Sequence, residues 1–214
     1  VFNAPLMDAF KKKAEDELGV KLLSVMYLGR RHVNLRQTRA EKDVQTPADL
    51  AGVNLRMPGT DAWQFLGKAL GASPTPLAFS EVYTALSSGA IDGQDNPLPT
   101  VVDKKFYEVT MYIVRNDFGL GLDKFFISSR IWDQLSKKNQ DIVQNTFDEL
   151  EPELYAKRVD EELGPSYDKW EELNGKGTVL TLDASAAQKK MAPLNKALAD
   201  EVFGAGTWDK IEAA

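Results

Sequence analysis

The segment Ala72-Ser73-Pro74-Thr75-Pro76-Leu77-Ala78-Phe79-Ser80-Glu81-Val82-Tyr83-Thr84-Ala85-Leu86 constrains the fold more than any other part of the chain. Pro74 and Pro76 fix φ, lack an N–H and push the residue before each of them out of the helical region, so Ser73 to Pro76 must be extended. Ser80 can cap a helix that runs to Leu86 and stops at Gly89. A short strand from Ile91 to Gln94 and a polar turn, Asp92-Gly93-Gln94-Asp95-Asn96-Pro97, follow at once. An extended piece, a helix and a cluster of polar side chains make a wall and a rim for a ligand.

The flanking sequence repeats this alternation. Asn3 to Leu18 has helical spacing and ends at Gly19, and Val20 to Leu28 reads as a buried strand. Thr46-Pro47-Ala48-Asp49 carries a cap, a proline at the first helical position and an acid at the third, ahead of a strand at Val53 to Met57. Helices are expected at Thr60 to Leu70 and Thr100 to Phe106, and strands at Val109 to Arg115, Lys124 to Ser128 and Thr178 to Leu182. From Ser136 to Leu173 the pattern is helical for about 35 residues, far beyond an ordinary globular helix, and Pro152 and Gly164-Pro165 must break or kink it. Such a helix can bridge two lobes or fold into a helical hairpin. Asp183 caps a last helical region reaching about Phe203. Strands alternating with helices predict an α/β architecture.

Composition excludes several functions. The net charge of −6 is spread along the chain, and only Arg30 to Arg39 is basic, so nucleic acid is not an expected partner. The absence of cysteine removes thiol catalysis and thiolate metal sites, and it does not identify a compartment. Gly119-Leu120-Gly121 lacks the third glycine of a dinucleotide fingerprint, and there is no phosphate-binding loop and no Gly-x-Ser-x-Gly elbow. Asp92 and Asp95 alone make a poor site for a hard cation. No cofactor and no metal are expected, and catalysis has little support. No apolar run reaches the roughly 20 residues of a membrane helix. The opening at Val1 rather than methionine fits a processed or truncated product.

Three polar side chains form a candidate constellation: Arg31 after Gly29, Arg56 at the end of the strand Val53 to Met57, and Asn96 in the Asp-Asn-Pro turn. Each is expected just past a strand or at a turn, where open α/β sheets bind ligands. Arginine matches a carboxylate with a planar fork of donors. Buried among apolar residues, Arg56 needs a partner, either an internal acid such as Glu81 or Asp95 or a ligand. Phe79 and Trp63 can be pocket walls or core. Tyr83 and Glu81 are expected to pin the helix, and His32 reads as a solvated neighbour of the arginines.

The ordered series Pro-Thr-Pro, Phe-Ser-Glu-Val-Tyr, Ala-Leu and Asp-Gly-Gln-Asp-Asn-Pro resembles the signature of the solute-binding proteins of tripartite ATP-independent periplasmic (TRAP) transporters. Gly52-Val53-Asn54-Leu55-Arg56-Met57-Pro58 is similar to that family's Gly-x-x-x-Arg-x-Pro motif. The resemblance implies that Arg56 grips a ligand carboxylate, that Arg31 (or Arg30, one residue off) and Asn96 face the ligand, and that Phe79 packs on it. Gly59, where some sialic-acid binders have asparagine, argues mildly against sialic acid.

The resemblance further implies a two-lobed periplasmic-binding fold with an incomplete N-terminal lobe. Residues 1–28 and 118–150 would belong to lobe I and 29–117 to lobe II, with a long kinked helix over 136–173 linking them and 174–214 packing as C-terminal strand and helices. It leaves open a separate polypeptide that supplies the missing N-terminal part. The implied function is capture of a small organic acid in the periplasm and its delivery to the membrane permease subunits of the transporter. A sugar-acid or keto-acid converting enzyme on a similar scaffold is the alternative.

Overall fold

The structure, a computed structural model, describes residues 5–36, 44–116 and 119–212. Asn3, the basic run beyond Arg36 and the expected lobe boundary at 117 lie outside the described residues. In chain order the elements are α1 (Pro5–Leu18), β1 (Val20–Leu35), β2 (Asn54–Met57), α2 (Asp61–Ala69), β3 (Ser73–Pro76), α3 (Val82–Ser88), β4 (Gly93–Pro97) and α4 (Leu98–Asp103). They continue with β5 (Tyr112–Arg115), β6 (Leu120–Ser128), α5 (Ser129–Trp132), α6 (Lys137–Leu163), α7 (Pro165–Asn174), β7 (Val179–Thr181), α8 (Ser185–Phe203) and α9 (Thr207–Glu212). This is the expected mixed α/β fold.

The chain divides into two compact units, one of residues 28–121 and 159–193 and the other of residues 1–27, 122–158 and 194–214. The first contains the sheet path β3-β2-β4-β1-β5-β7. β2 runs parallel to both β3 and β4, while β1 is antiparallel to β4 and β5. Side chains alternate across a strand, so the sheet has two buried faces. On one, Val33, Leu35, Leu55, Met57 and Val114 pack against Leu66 of α2 and Leu70 just past its end. On the other, Ile113 packs with Val82 and Leu86 of α3, Leu98 of α4 and Trp170 of α7. Thus α2 and α3, which connect β2 to β3 and β3 to β4, cover opposite faces.

In the second unit, Leu22, Leu23, Val25 and Met26 of β1 are buried, and Gln144 of α6 donates to the Leu23 carbonyl at 3.1 Å. Aromatic pairs Tyr27–Tyr155 and Phe125–Phe147 hold α6 to β1 and β6, with centroids 5.4 and 5.3 Å apart. Met7, Phe10, Val25, Leu122, Phe203 and Ile211 line an apolar hollow of about 210 Å³.

Several boundaries differ from expectation. The strand opening at Val20 continues through Gly29 to Leu35. The helix expected from Ser80 starts at Val82, after a single 3₁₀ turn, Phe79–Glu81, whose Glu81 carboxylate accepts from the Ala78 N–H at 3.2 Å; Gly89 ends it as expected with φ of 81°. The strand placed at Ile91 to Gln94 is Gly93–Pro97, so Asp95-Asn96-Pro97 is strand rather than turn. The long C-terminal pattern is two helices broken at Gly164, with Pro152 inside the uninterrupted α6. The Ser136 hydroxyl caps α6 by accepting from Asn139 N–H at 3.3 Å.

Candidate functional site

In the order β3-β2-β4 the connection after β2 runs outward to β3 over one face and the connection after β3 returns past β2 to β4 over the other, so the topological switch, where open α/β sheets bind ligands, falls at the C-terminal end of β2. Arg56, next to last in β2, is 4% exposed there. Its Nε donates to the Leu77 carbonyl at 2.8 Å, and its guanidinium lies 5.9 Å from the Phe79 ring centroid, a cation–π contact. Neither acid named as its internal partner takes that part: Glu81 is bound to the Ala78 N–H and Asp95 to Arg31. Among the described residues no carboxylate pairs with Arg56. Burial lowers its pKa first, and repulsion from Arg31 adds to this, partly offset by Asp95.

Arg31 lies within β1, not past a strand. Its guanidinium sits over Trp63 of α2, 4.4 Å from the ring centroid. Nε donates to Asp95 Oδ1 at 2.5 Å and Nη2 to the Asp95 backbone carbonyl at 2.7 Å. Asp95 is fully buried, and burial pushes its carboxyl above the ordinary range, while Arg31 and then Arg56 pull it back. The sequence offered Asp95 as a partner for Arg56 and, with Asp92, as a poor cation site; its bond to Arg31 depends on β4 lying beside β1.

Asn96 is also a strand residue, paired in register with His32. Its amide donates to the Gln94 side chain, whose own amide donates to Asn34, giving a buried ladder across β4 and β1. Arg56 pairs with Gln94, so Arg56, Asn96 and His32 project to the α3 face, whereas Arg31, Asp95 and Trp63 occupy the α2 face. The predicted residues therefore form two groups, Arg31 with Trp63 and Arg56 with Phe79, linked by the electrostatic interaction of the arginines and Asp95; Asn96 is tied into the ladder. His32 is buried rather than solvated, with Nε2 2.7 Å from the Tyr167 hydroxyl. Tyr83 pins α3 as expected, donating to Glu108 at 2.6 Å.

A wider cleft of about 500 Å³ in this unit is lined by Arg36, Leu86, Tyr107, Glu108, Met111 and Asn174. It lies at the opposite end of the sheet, where β4 and β5 begin, and none of the predicted residues lines it. An anion at Arg56 would meet a buried guanidinium and an aromatic wall at Phe79, while Arg31, clamped by Asp95 on the other face, acts on Arg56 only electrostatically.

Comparison with known proteins bears on the family and the fold. The sialic acid-binding periplasmic protein SiaP of Vibrio cholerae is 39% identical over 109 residues, 51% of this chain and 34% of that protein. A TRAP periplasmic solute-binding protein of Roseobacter denitrificans, solved with bound 3-deoxy-D-manno-oct-2-ulosonic acid, superposes with a TM-score of 0.84 at 52% identity, covering 99% of this chain and 69% of that one. Another, from Fusobacterium nucleatum with sn-glycerol-3-phosphate bound, has a TM-score of 0.88 at 26% identity over 99% of this chain and 66% of that one. The chain thus spans about two thirds of the length of these solved neighbours, and its match to the Vibrio protein takes in about one third of that protein. The model of the DctP family matches residues 1–201, and the chain belongs to this family, the bacterial extracellular solute-binding proteins of family 7, whose solved relatives serve TRAP transport.

Proposed function

We propose that this protein is the extracytoplasmic, periplasmic binding component of a TRAP transporter, which captures a small sugar acid and delivers it to the membrane permease without changing it chemically. Arg56 is the main anchor for the ligand carboxylate, Arg31 supports it, and Phe79 covers an apolar edge of the ligand. The observation that carries this reading is a buried guanidinium that lacks a carboxylate partner among the described residues, at the crevice where an α/β sheet binds ligands. A buried cation without a counter-ion is costly, and an anionic ligand removes that cost. Among the described residues no helix is long and apolar enough to cross a membrane. The Roseobacter neighbour, 52% identical and holding an eight-carbon ulosonic acid, directs the first choice of ligand.

The test is a thermal-shift panel of ulosonic, aldonic, uronic and C4-dicarboxylic acids, followed by calorimetry. The ulosonic acid is expected to stabilise the protein most, its neutral methyl ester not at all, and the recovered compound is expected to be unchanged by mass. Conversion of the ligand would instead favour the enzyme reading, and equal stabilisation by acid and ester would remove Arg56 as anchor.

A further inference from the structure

The amide ladder beside Arg56 has a direction. Gln94 stands in one row between Arg56 of β2 and Asn34 of β1, and Asn96 follows two residues on, so all four side chains share the α3 face. Asn34 and Gln94 have no exposed surface, whereas Asn96 is 8% exposed. The ladder therefore has a closed end at Asn34 and an open end at Asn96, close to the candidate anchor. Asn96 Nδ2 donates to Gln94 Oε1, and Gln94 Nε2 donates to Asn34 Oδ1. In this direction Asn34 Nδ2 is a buried donor with no partner among the described residues, and the group that Asn96 keeps for the open end is its carbonyl oxygen.

An amide carries an acceptor at one end and an N–H donor pair at the other in nearly the same shape, so the same ladder can run either way. Turning one member alone would set oxygen against oxygen or N–H against N–H, so the three reverse only together. Reversed, Asn34 Nδ2 donates to Gln94, Gln94 donates to the Asn96 oxygen, and the Asn96 N–H pair becomes the open end. The number of bonds is unchanged, and the orphan donor at Asn34 is exchanged for an orphan acceptor. A ligand carboxylate offers only lone pairs, so the Asn96 oxygen repels it and the Asn96 N–H pair holds it with a charge-assisted bond. An acid therefore has different affinities for the two directions, which is what a ligand needs to shift an equilibrium. We propose that the ladder is a reversible hydrogen-bond relay: an acid docking on Arg56 turns Asn96, Gln94 and Asn34 together, and Asn34, which the ligand does not touch, is a positioning residue for Asn96. This rests on the reading of Arg56 as the ligand's anchor and deepens it.

The decisive experiment is neutron diffraction from deuterium-exchanged crystals, free and with 3-deoxy-D-manno-oct-2-ulosonic acid bound, because nuclear scattering tells a deuterated amide nitrogen from an oxygen directly. The free crystal is expected to show the direction described above and the bound crystal its reverse, with the Asn96 nitrogen toward the acid. In solution, the NMR signal of the Asn34 side-chain amide should move on saturation with the acid, although no ligand atom reaches it. Gln94→Met cuts the relay without adding a charge. It should weaken the acid about tenfold, and the Asn34 signal should then stop responding while the Asn96 signal still does. A merely structural ladder would lose stability in Gln94→Met and show no Asn34 response even in the wild type. Should Gln94→Met not fold, the two neutron maps still decide. The same ladder direction in both crystals, or an Asn96 oxygen facing the bound acid, overturns the relay and leaves Arg56 as anchor. An acid bound away from Arg56, or none bound at all, overturns the anchor reading itself.

Discussion

The two units of this chain bury their apolar residues to different degrees. In the unit built on β3-β2-β4-β1-β5-β7, Leu35, Leu55, Leu86, Ile113 and Trp170 have no exposed surface, because helices cover the sheet on both faces. In the other, Phe125 and Phe126 are 38% and 42% exposed although, as neighbours on β6, they point to opposite faces, and Ile142 of α6 is 54% exposed. The two regions use the same kinds of residue. What separates them is cover: a strand gains hydrophobic stabilisation only from the faces that something packs against. The candidate anion site lies in the well-covered unit, where the low dielectric gives its charges their strength.

The largest effect should come from a cavity. Leu55→Ala in β2 is expected to cost about 2–5 kcal/mol in urea denaturation, whereas Ile142→Ala should change stability by less than about 1 kcal/mol. Comparable losses would erase the contrast between the units. Next, Arg56→Ala should cost about 2–5 kcal/mol of binding for a sugar acid, measured by calorimetry, with little loss of thermal stability, since it removes a buried cation that no described carboxylate compensates. Arg56→Lys should not restore binding, because a point charge cannot reproduce a planar fork that also bonds the Leu77 carbonyl. A smaller effect is expected from Tyr167→Phe, which removes the bond to buried His32 and should cost about 1–3 kcal/mol of stability.

The smallest effect is one of sign. Burial raises the pKa of Asp95, so its contribution to stability is fully present below the ordinary aspartate value and is lost as pH rises through the raised folded value. Asp200, held low chiefly by the Trp208 N–H at 3.2 Å, contributes stability above the ordinary value and loses it as pH falls through the lowered one. Melting temperatures across the acid range should therefore diverge. Relative to wild type, Asp95→Asn should gain as pH rises through the raised value, and the deficit of Asp200→Asn should shrink as pH falls. Parallel curves for the two variants would contradict this assignment.

Local patterns gave the α/β class, α2, the extended Ser73–Pro76 and the αL stop at Gly89, because each is set by residues adjacent in sequence. β4 was misplaced for a physical reason. Asp95 and Asn96 read as a turn after a strand ending at Gln94, yet they continue a buried strand tied to residues about 60 positions away, Gln94 to Asn34 and Asp95 to Arg31. The same holds for β1, expected to end near Gly29. Arg31, His32 and Asn34 can stay in a buried strand only because Asp95, Tyr167 and Gln94 meet them. Arg31 and Arg56 were legible as candidates from their places in the sequence and from family resemblance, whereas the clamp on Arg31 and the separation of the two arginines onto opposite sheet faces required the strand register.

The ladder of Asn34, Gln94 and Asn96 also acts as a proofreading device for assembly. β1 and β4 must find one another across a segment that contains β2, α2, β3 and α3, and a slip of one residue would turn the amides toward Leu55 and Met57 while moving Val33 and Leu35 among polar groups. Gly93 admits the close approach that the correct register needs, since a Cβ there would stand 2.5 Å from the Asn34 carbonyl oxygen. Mispaired sheets would thus leave several polar groups unsatisfied at once, which disfavours them, and the correct register fixes Arg31 and Arg56 on their two faces.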